Sequence, residues 1–208
     1  VHTGTYGSGE PVTVFAGGLG ATIAETRVLG SGVRGTKVFF DFRGHGATGM
    51  PADGDWSYDA LAGDLRTVAD AYGATRAVGV SMGAAAILRV LADEPDRFSR
   101  IVFYLPAILD EPRGPVPAPD VSGLAPEAVR GLMAALQTTR PIADRALLAY
   151  VTAPCLVVGH EDDPTHPARI ARELAAALPD ARLHVLGAGG LPAYRTELRA
   201  LVTAFLDR

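Results

Sequence analysis

Residues 76–91 read RAVGVSMGAAAILRVL, and the way this stretch is read decides the fold. The first five residues have the composition of a short buried strand. Seven of the last eight are apolar, all eight suit a helix, and Gly79-Val80-Ser81-Met82-Gly83 lies at the junction. Small residues two before and two after the serine let the chain turn sharply without collision. Such a turn lifts the Ser81 hydroxyl out at the end of the sheet, with the N-terminus of the following helix beneath it. A G-x-S-x-G pentapeptide alone occurs often by chance; a strand before it and a helix after it give it chemical meaning. Ser81 is the candidate nucleophile.

The same alternation continues on both sides. Apolar, β-branched or aromatic runs at residues 12–16, 36–42, 76–80, 100–105, 154–159 and 181–186 are the strand candidates. Most are continuous rather than alternating, as in strands buried on both faces. Helical periodicity lies between and after them. Ile170, Leu174 and Leu178 mark one face of residues 167–178, behind Pro167; Tyr194, Leu198, Leu201, Val202 and Phe205 mark another over residues 192–207. Repeated βα units imply an α/β fold, a mostly parallel, doubly wound sheet with helices on both faces. Ligands bind such sheets at the carboxyl ends of the strands. Residues 106–127, PAILDEPRGPVPAPDVSGLAPE, break the rhythm, and a weak helical pattern follows to about residue 150. The expectation is one domain over residues 1–208, carrying a short proline-rich lid at residues 106–150.

With 208 residues, 48% apolar and 20% charged, the chain has the balance of a globular domain with a sizeable core. A net charge of −4 without a basic cluster speaks against nucleic acid or an anionic membrane as partner. Cys155 is the one cysteine, so no intrachain disulfide can form. No apolar run reaches the ~18 residues of a membrane span, and no basic start followed by an apolar block marks a signal peptide. A cytoplasmic location is expected, and the use of arginine almost to the exclusion of lysine points to a GC-rich bacterial genome.

Taken in order, these features resemble the α/β-hydrolase superfamily, in particular its small-lid bacterial esterases, lactonases and cofactor-free haloperoxidases. The stretch HTGTYGSGEPVTVFAGGLG looks like the family's first strands and oxyanion loop, DFRGHGATG (41–49) like the turn after the next strand, GVSMG like the nucleophile elbow, and VVGHEDDPTHP (157–167) like the loop that presents the acid. The resemblance implies Ser81 as nucleophile and Asp162, three residues after Gly159, as the orienting acid, with Asp163 in reserve. It implies an oxyanion hole made by the backbone amides of Gly18 and Met82. Ala16-Gly17 stands where relatives commonly have His-Gly, which leaves a backbone donor intact. No cofactor is implied. The AGGLG loop lacks the Lys-Ser/Thr of a phosphate-binding loop, and the His160, Glu161, Asp162, Asp163, His166 cluster fits no strong zinc spacing.

One part of the resemblance fails. Relatives carry their catalytic histidine in the loop after the last strand, which here reads Gly187-Ala188-Gly189-Gly190. The histidine position falls on Gly190, so the base position is vacant. His184 lies in the strand some 20 Å away at ~3.3 Å per residue. His45 belongs to a turn that is structural in relatives, and His2 is near the terminus. His160 and His166 flank the acid loop at the correct end of the sheet, and His166 is the possible replacement base. Serine without a base is a poor nucleophile. The expectation is therefore a serine-hydrolase-type enzyme for a small apolar ester, lactone or related acyl compound, impaired or altered by an incomplete triad. The alternatives are a non-catalytic ligand-binding protein, or a lyase or isomerase that uses the oxyanion hole without an acyl-enzyme.

Overall fold

The computed structural model describes residues 1–114, 121, 124–187 and 190–208, without the side chains of 190–192. Parts of two expected features, residues 115–120 and 122–123 of the proline-rich excursion and residues 188–189 of the histidine loop, lie outside the described residues.

Seven strands form one sheet: β1 (Thr3–Tyr6), β2 (Val12–Ala16), β3 (Thr36–Phe40), β4 (Arg76–Val80), β5 (Arg100–Tyr104), β6 (Cys155–His160) and β7 (Ala181–Leu186). Their spatial order is β1-β3-β2-β4-β5-β6-β7. Only β1 runs antiparallel, against β3; the others pair in parallel. Helices α1 (Ile23–Thr26), α2 (Tyr58–Tyr72), α3 (Met82–Asp93), α4 (Pro126–Thr138), α5 (Ala168–Ala177) and α6 (Gly190–Leu206) connect and cover them. The six strand candidates and both helix candidates all form, with ends shifted by two residues at most.

The middle of the sheet is apolar on both faces because alternate residues of its strands enter different cores. Val14, Ala77, Ile101, Phe103 and Val157 pack under α2, α3 and α5. Phe15, Val78, Val102, Leu156 and Val158 pack with Leu198, Val202 and Phe205 of α6. Two-sided burial is what makes these strands read as unbroken apolar runs.

Helix α2 shows how local chemistry fixes the elements around the site. The Ser57 hydroxyl accepts from the Ala60 amide at its start, and Gly73 ends it in the left-handed region, φ 62°. Between these caps Leu61, Leu65 and Val68 recur on one face and are buried.

The topology places the site. From β2 the chain goes outward to β3, and it then returns to the other side of β2 to form β4. Neighbouring strands that lead in opposite directions leave a crevice beyond their carboxyl ends. Ala16 pairs with Gly79 across this junction, so the AGGLG loop and the Ser81 turn emerge side by side. Residues 106–150 leave the sheet after β5 and return before β6. Arg145, near the end of the excursion, grips Asp110, near its start, through Nε at 2.8 Å and a terminal nitrogen at 2.7 Å.

Candidate active site

Ser81 occupies a backbone conformation that few residues adopt, φ 50° and ψ −106°. The surrounding contacts hold it there. A Cβ on Gly79 would stand 2.7 Å from the Ala84 nitrogen and from the Gly83 oxygen; one on Gly83 would stand 2.2 Å from the Ala16 oxygen. Both glycines are thus demanded by close backbone approach, and together they allow α3 to start directly against the end of β2. The Ser81 amide is tied to the Tyr104 carbonyl at 2.9 Å. Strain of this kind at the end of a buried strand is the mark of a preorganised nucleophile turn.

Met82 is the first residue of α3, so its amide has no acceptor within the helix. Gly18 stands alongside: a Cβ on it would be 3.6 Å from Ser81 Cβ. Among the described residues neither amide donates to a protein acceptor. The AGGLG loop that presents Gly18 is braced from below by His45. This fully buried imidazole donates from Nδ1 to the Arg43 carbonyl at 2.9 Å and accepts at Nε2 from the Gly20 amide at 3.0 Å. Burial above all pushes the His45 pKa down, which suits the neutral form these two bonds need. His45 is structural, as expected of its turn, but its support of the loop bearing Gly18 depends on a contact 25 residues away and is invisible in the sequence.

The HEDDPTHP loop supplies the imidazole. His166 Nε2 lies 2.9 Å from Ser81 Oγ, and His166 Nδ1 lies 3.0 Å from Asp163 Oδ2. The loop is built by Asp163 itself, whose Oδ1 accepts from the amides of Thr165 at 2.8 Å and His166 at 2.9 Å. A side-chain-closed turn of this type is a local property of aspartate. Pro167 then caps α5 and pairs back onto His160, which pins the residue after the imidazole to the sheet edge. Carboxylate and imidazole thus come from one loop, three residues apart.

One sequence expectation needs correction. The carboxylate that meets the imidazole is Asp163, the residue held in reserve, and not Asp162. Asp162 takes the left-handed turn position, φ 57°, and is exposed to solvent. For the base, the sequence leaves the Gly190 position vacant and names His166 as a possible replacement. Gly190 begins α6 and offers no imidazole, as the sequence shows. Ser81 nevertheless has one within hydrogen-bond reach, because His166 approaches from the acid loop.

The other histidines are engaged elsewhere. His2 Nδ1 meets Asp41 at 2.8 Å, and His184 Nε2 meets Glu197 at 3.1 Å. His160 is buried and its Nε2 lies 3.1 Å from the Tyr104 hydroxyl. Glu161 pairs with Arg172, so the residues considered as metal ligands are dispersed. Among the described residues no three His, Cys, Asp or Glu side chains gather as a metal site would require.

The electrostatics favour a neutral imidazole beside an ionised carboxylate. Burial resists the charge on Asp163, but the His166 amide and imidazole and the Thr165 amide hold its carboxyl below the usual range. Burial is also the largest influence on His166 and pushes its pKa down. Asp163 opposes this, while Arg113 and His160 reinforce it. With Nδ1–H directed to Asp163, Nε2 is left as acceptor for the serine hydroxyl.

Ser81, Gly18 and His166 open onto a cavity of about 500 Å³, within the size range of small-molecule sites. Leu19, Met82, Ile108, Met133 and Leu136 give it an apolar wall, and part of that wall comes from residues 106–150.

The family model for the alpha/beta hydrolase fold matches residues 18–140. The chain belongs to the α/β-hydrolase family. Solved α/β-hydrolase-like structures repeat its whole architecture. An esterase from Exiguobacterium antarcticum superposes with a TM-score of 0.85 at 16% identity, covering 100% of this chain and 95% of that one. An enol-lactonase from Burkholderia xenovorans gives 0.81 at 19% identity, covering 100% and 96%. A bromoperoxidase from Bacillus anthracis gives 0.81 at 18% identity, covering 99% and 95%. At such identities the likeness is one of fold. Among the described residues no helix of this α/β-hydrolase is long and apolar enough to cross a membrane.

Proposed function

We propose that this α/β-hydrolase is a serine hydrolase of small, largely apolar esters, lactones or related acyl compounds, with a Ser81–His166–Asp163 triad. The observation that carries this reading is the continuous hydrogen-bonded line from Ser81 Oγ through both nitrogens of His166 to Asp163 Oδ2. His166 Nε2 takes the serine proton as Oγ attacks the acyl carbonyl, and Asp163 stabilises the imidazolium that forms. The oxyanion of the tetrahedral intermediate is received by the amides of Gly18 and Met82, each donor worth roughly 3 kcal/mol in comparable sites. The intermediate collapses as His166 returns the proton to the departing alcohol oxygen. Water, deprotonated by the same nitrogen, then releases the acid. Residues 106–150 act as a lid that closes the apolar side of the cavity. The vacant position at Gly190 does not impair this chemistry, because a base from the acid loop replaces the family's usual one.

The test is fluorophosphonate labelling of Ser81 together with hydrolysis of p-nitrophenyl butyrate. His166→Ala is expected to abolish labelling and lower kcat/KM by about 10³-fold or more, while a correctly folded Ser81→Ala protein takes no label. Undiminished hydrolysis by His166→Ala would overturn the reading, and the absence of labelling and turnover in the unaltered protein would equally do so.

A further inference from the structure

The apolar cavity contains one feature that a neutral acyl substrate does not require. Arg113, on the excursion after β5, lines the same cavity as Ser81 and His166. Elsewhere the arginines Arg43, Arg66, Arg89, Arg97 and Arg145 each hold a carboxylate at 2.5–2.8 Å. Arg113 holds none among the described residues. Its one hydrogen bond is donated to the Thr165 carbonyl, and a guanidinium has five N–H groups. Asp163, the carboxylate whose charge acts on it, has both oxygens committed to His166 and Thr165.

Tyr58 is the second observation. It is 4% exposed, it lines the cavity, and its hydroxyl makes no hydrogen bond among the described residues. The hydroxyl is not one of the fully enclosed polar atoms, as fits a group bordering the cavity, and it lies close enough to Arg113 for the two to influence each other's charge. Among the described residues, a guanidinium with a single hydrogen bond and a phenol with none thus line one cavity whose remaining wall is mostly apolar, with Leu19, Ile108, Met133 and Leu136. A guanidinium and a phenol on the wall of a mostly apolar cavity have the chemistry to receive an anion at the end of an apolar chain.

We infer that Arg113 and Tyr58 form an anion subsite, and that the acyl substrate of this hydrolase carries a carboxylate separated from its reacting carbonyl by an apolar spacer. The inference rests on the serine-hydrolase reading above and narrows it to one substrate class. A bound carboxylate would also affect the base. Arg113 opposes protonation of His166, so neutralising the guanidinium makes the imidazolium easier to form during acyl transfer. Substrate charge would then raise kcat as well as lower KM.

The experiment compares half p-nitrophenyl esters of glutaric, adipic and suberic acids with neutral p-nitrophenyl esters of matching chain length. At the best length the carboxylate ester is expected to lead in kcat/KM by about 10- to 100-fold, the range for a charge-assisted hydrogen bond. Arg113→Gln brings that ratio close to one, Tyr58→Phe lowers it a few-fold, and Arg113→Glu reverses it. A merely structural arginine would not move this ratio. No preference at any length, or a preference that survives Arg113→Gln, overturns the inference. Calorimetry on Ser81→Ala with monomethyl adipate and methyl hexanoate separates this outcome from failure of the hydrolase reading. If no ester is turned over, tighter binding of the adipate, lost on adding Arg113→Gln, still supports the subsite. Equal binding refutes it.

Discussion

Asp163→Asn tests the site at the atom where sequence and structure part. In the folded chain Asp163 Oδ1 holds the amides of Thr165 and His166, and Oδ2 receives the imidazole Nδ1–H. An asparagine can keep its carbonyl oxygen on the two amides, so the turn survives. Its NH₂ group then takes the place of Oδ2, where it can only donate. His166 must respond by making Nδ1 the acceptor, which moves the proton to Nε2. That proton points at Ser81 Oγ, 2.9 Å away, and the base can no longer accept. Tautomer reversal together with loss of the carboxylate that steadies the imidazolium is expected to cost about 10⁴ in kcat, ~5 kcal/mol, the order known for the equivalent exchange in a serine protease triad. Asp162→Asn is the matched control. Its side chain is exposed, and asparagine tolerates the left-handed backbone of that position, so kcat should stay within about twofold. Steady-state hydrolysis of p-nitrophenyl butyrate, with circular dichroism to confirm folding, reads both variants. A folded Asp163→Asn enzyme keeping more than a tenth of its activity, or an Asp162→Asn enzyme that loses more, would refute the assignment.

Two further expectations follow from the same geometry. Because His166 titrates below the ordinary histidine value, its neutral, proton-accepting form persists to lower pH. The acid limb of kcat/KM for a neutral ester should therefore fall below about pH 6.5, and Arg113→Gln, by removing an opposing positive charge, should shift it upward. A limb at or above the ordinary value would contradict the burial that surrounds His166. Gly83→Ala places a methyl 2.2 Å from the Ala16 oxygen, a clash with backbone that rotamer change cannot relieve. It should destabilise the fold by about 2–3 kcal/mol and lower Tm by roughly 5–10 °C, and an unchanged Tm by calorimetry would mean that α3 does not sit as closely on β2 as described.

The sequence by itself determined the architecture, because that information is local. Most of the six strands read from the sequence announced themselves as nearly unbroken apolar runs, since both faces of the sheet are covered there; the edge strand β7 is mostly exposed. The helices α5 and α6 announced themselves by four-residue periodicity. The Ser81 turn was legible because Gly79 and Gly83 are imposed by contacts within a few residues and with the adjacent strand. The vacancy at Gly190 was equally plain. What the sequence could not decide was which groups meet across the crevice. Asp162 and Asp163 are equivalent as letters; only the closed turn, with its Oδ1 on two amides, gives Asp163 the imidazole and leaves Asp162 in solvent. His166 and Ser81 are 85 residues apart, and their contact depends on how the β6–α5 loop and the β4–α3 turn emerge from one twisted sheet. The support of the Gly18 loop by His45, and the presence of Arg113 and Tyr58 on one cavity, likewise join segments whose approach no periodicity records. Local spacing encodes elements; the directions in which their ends point are set by packing, and the chemistry of this site lies at those ends.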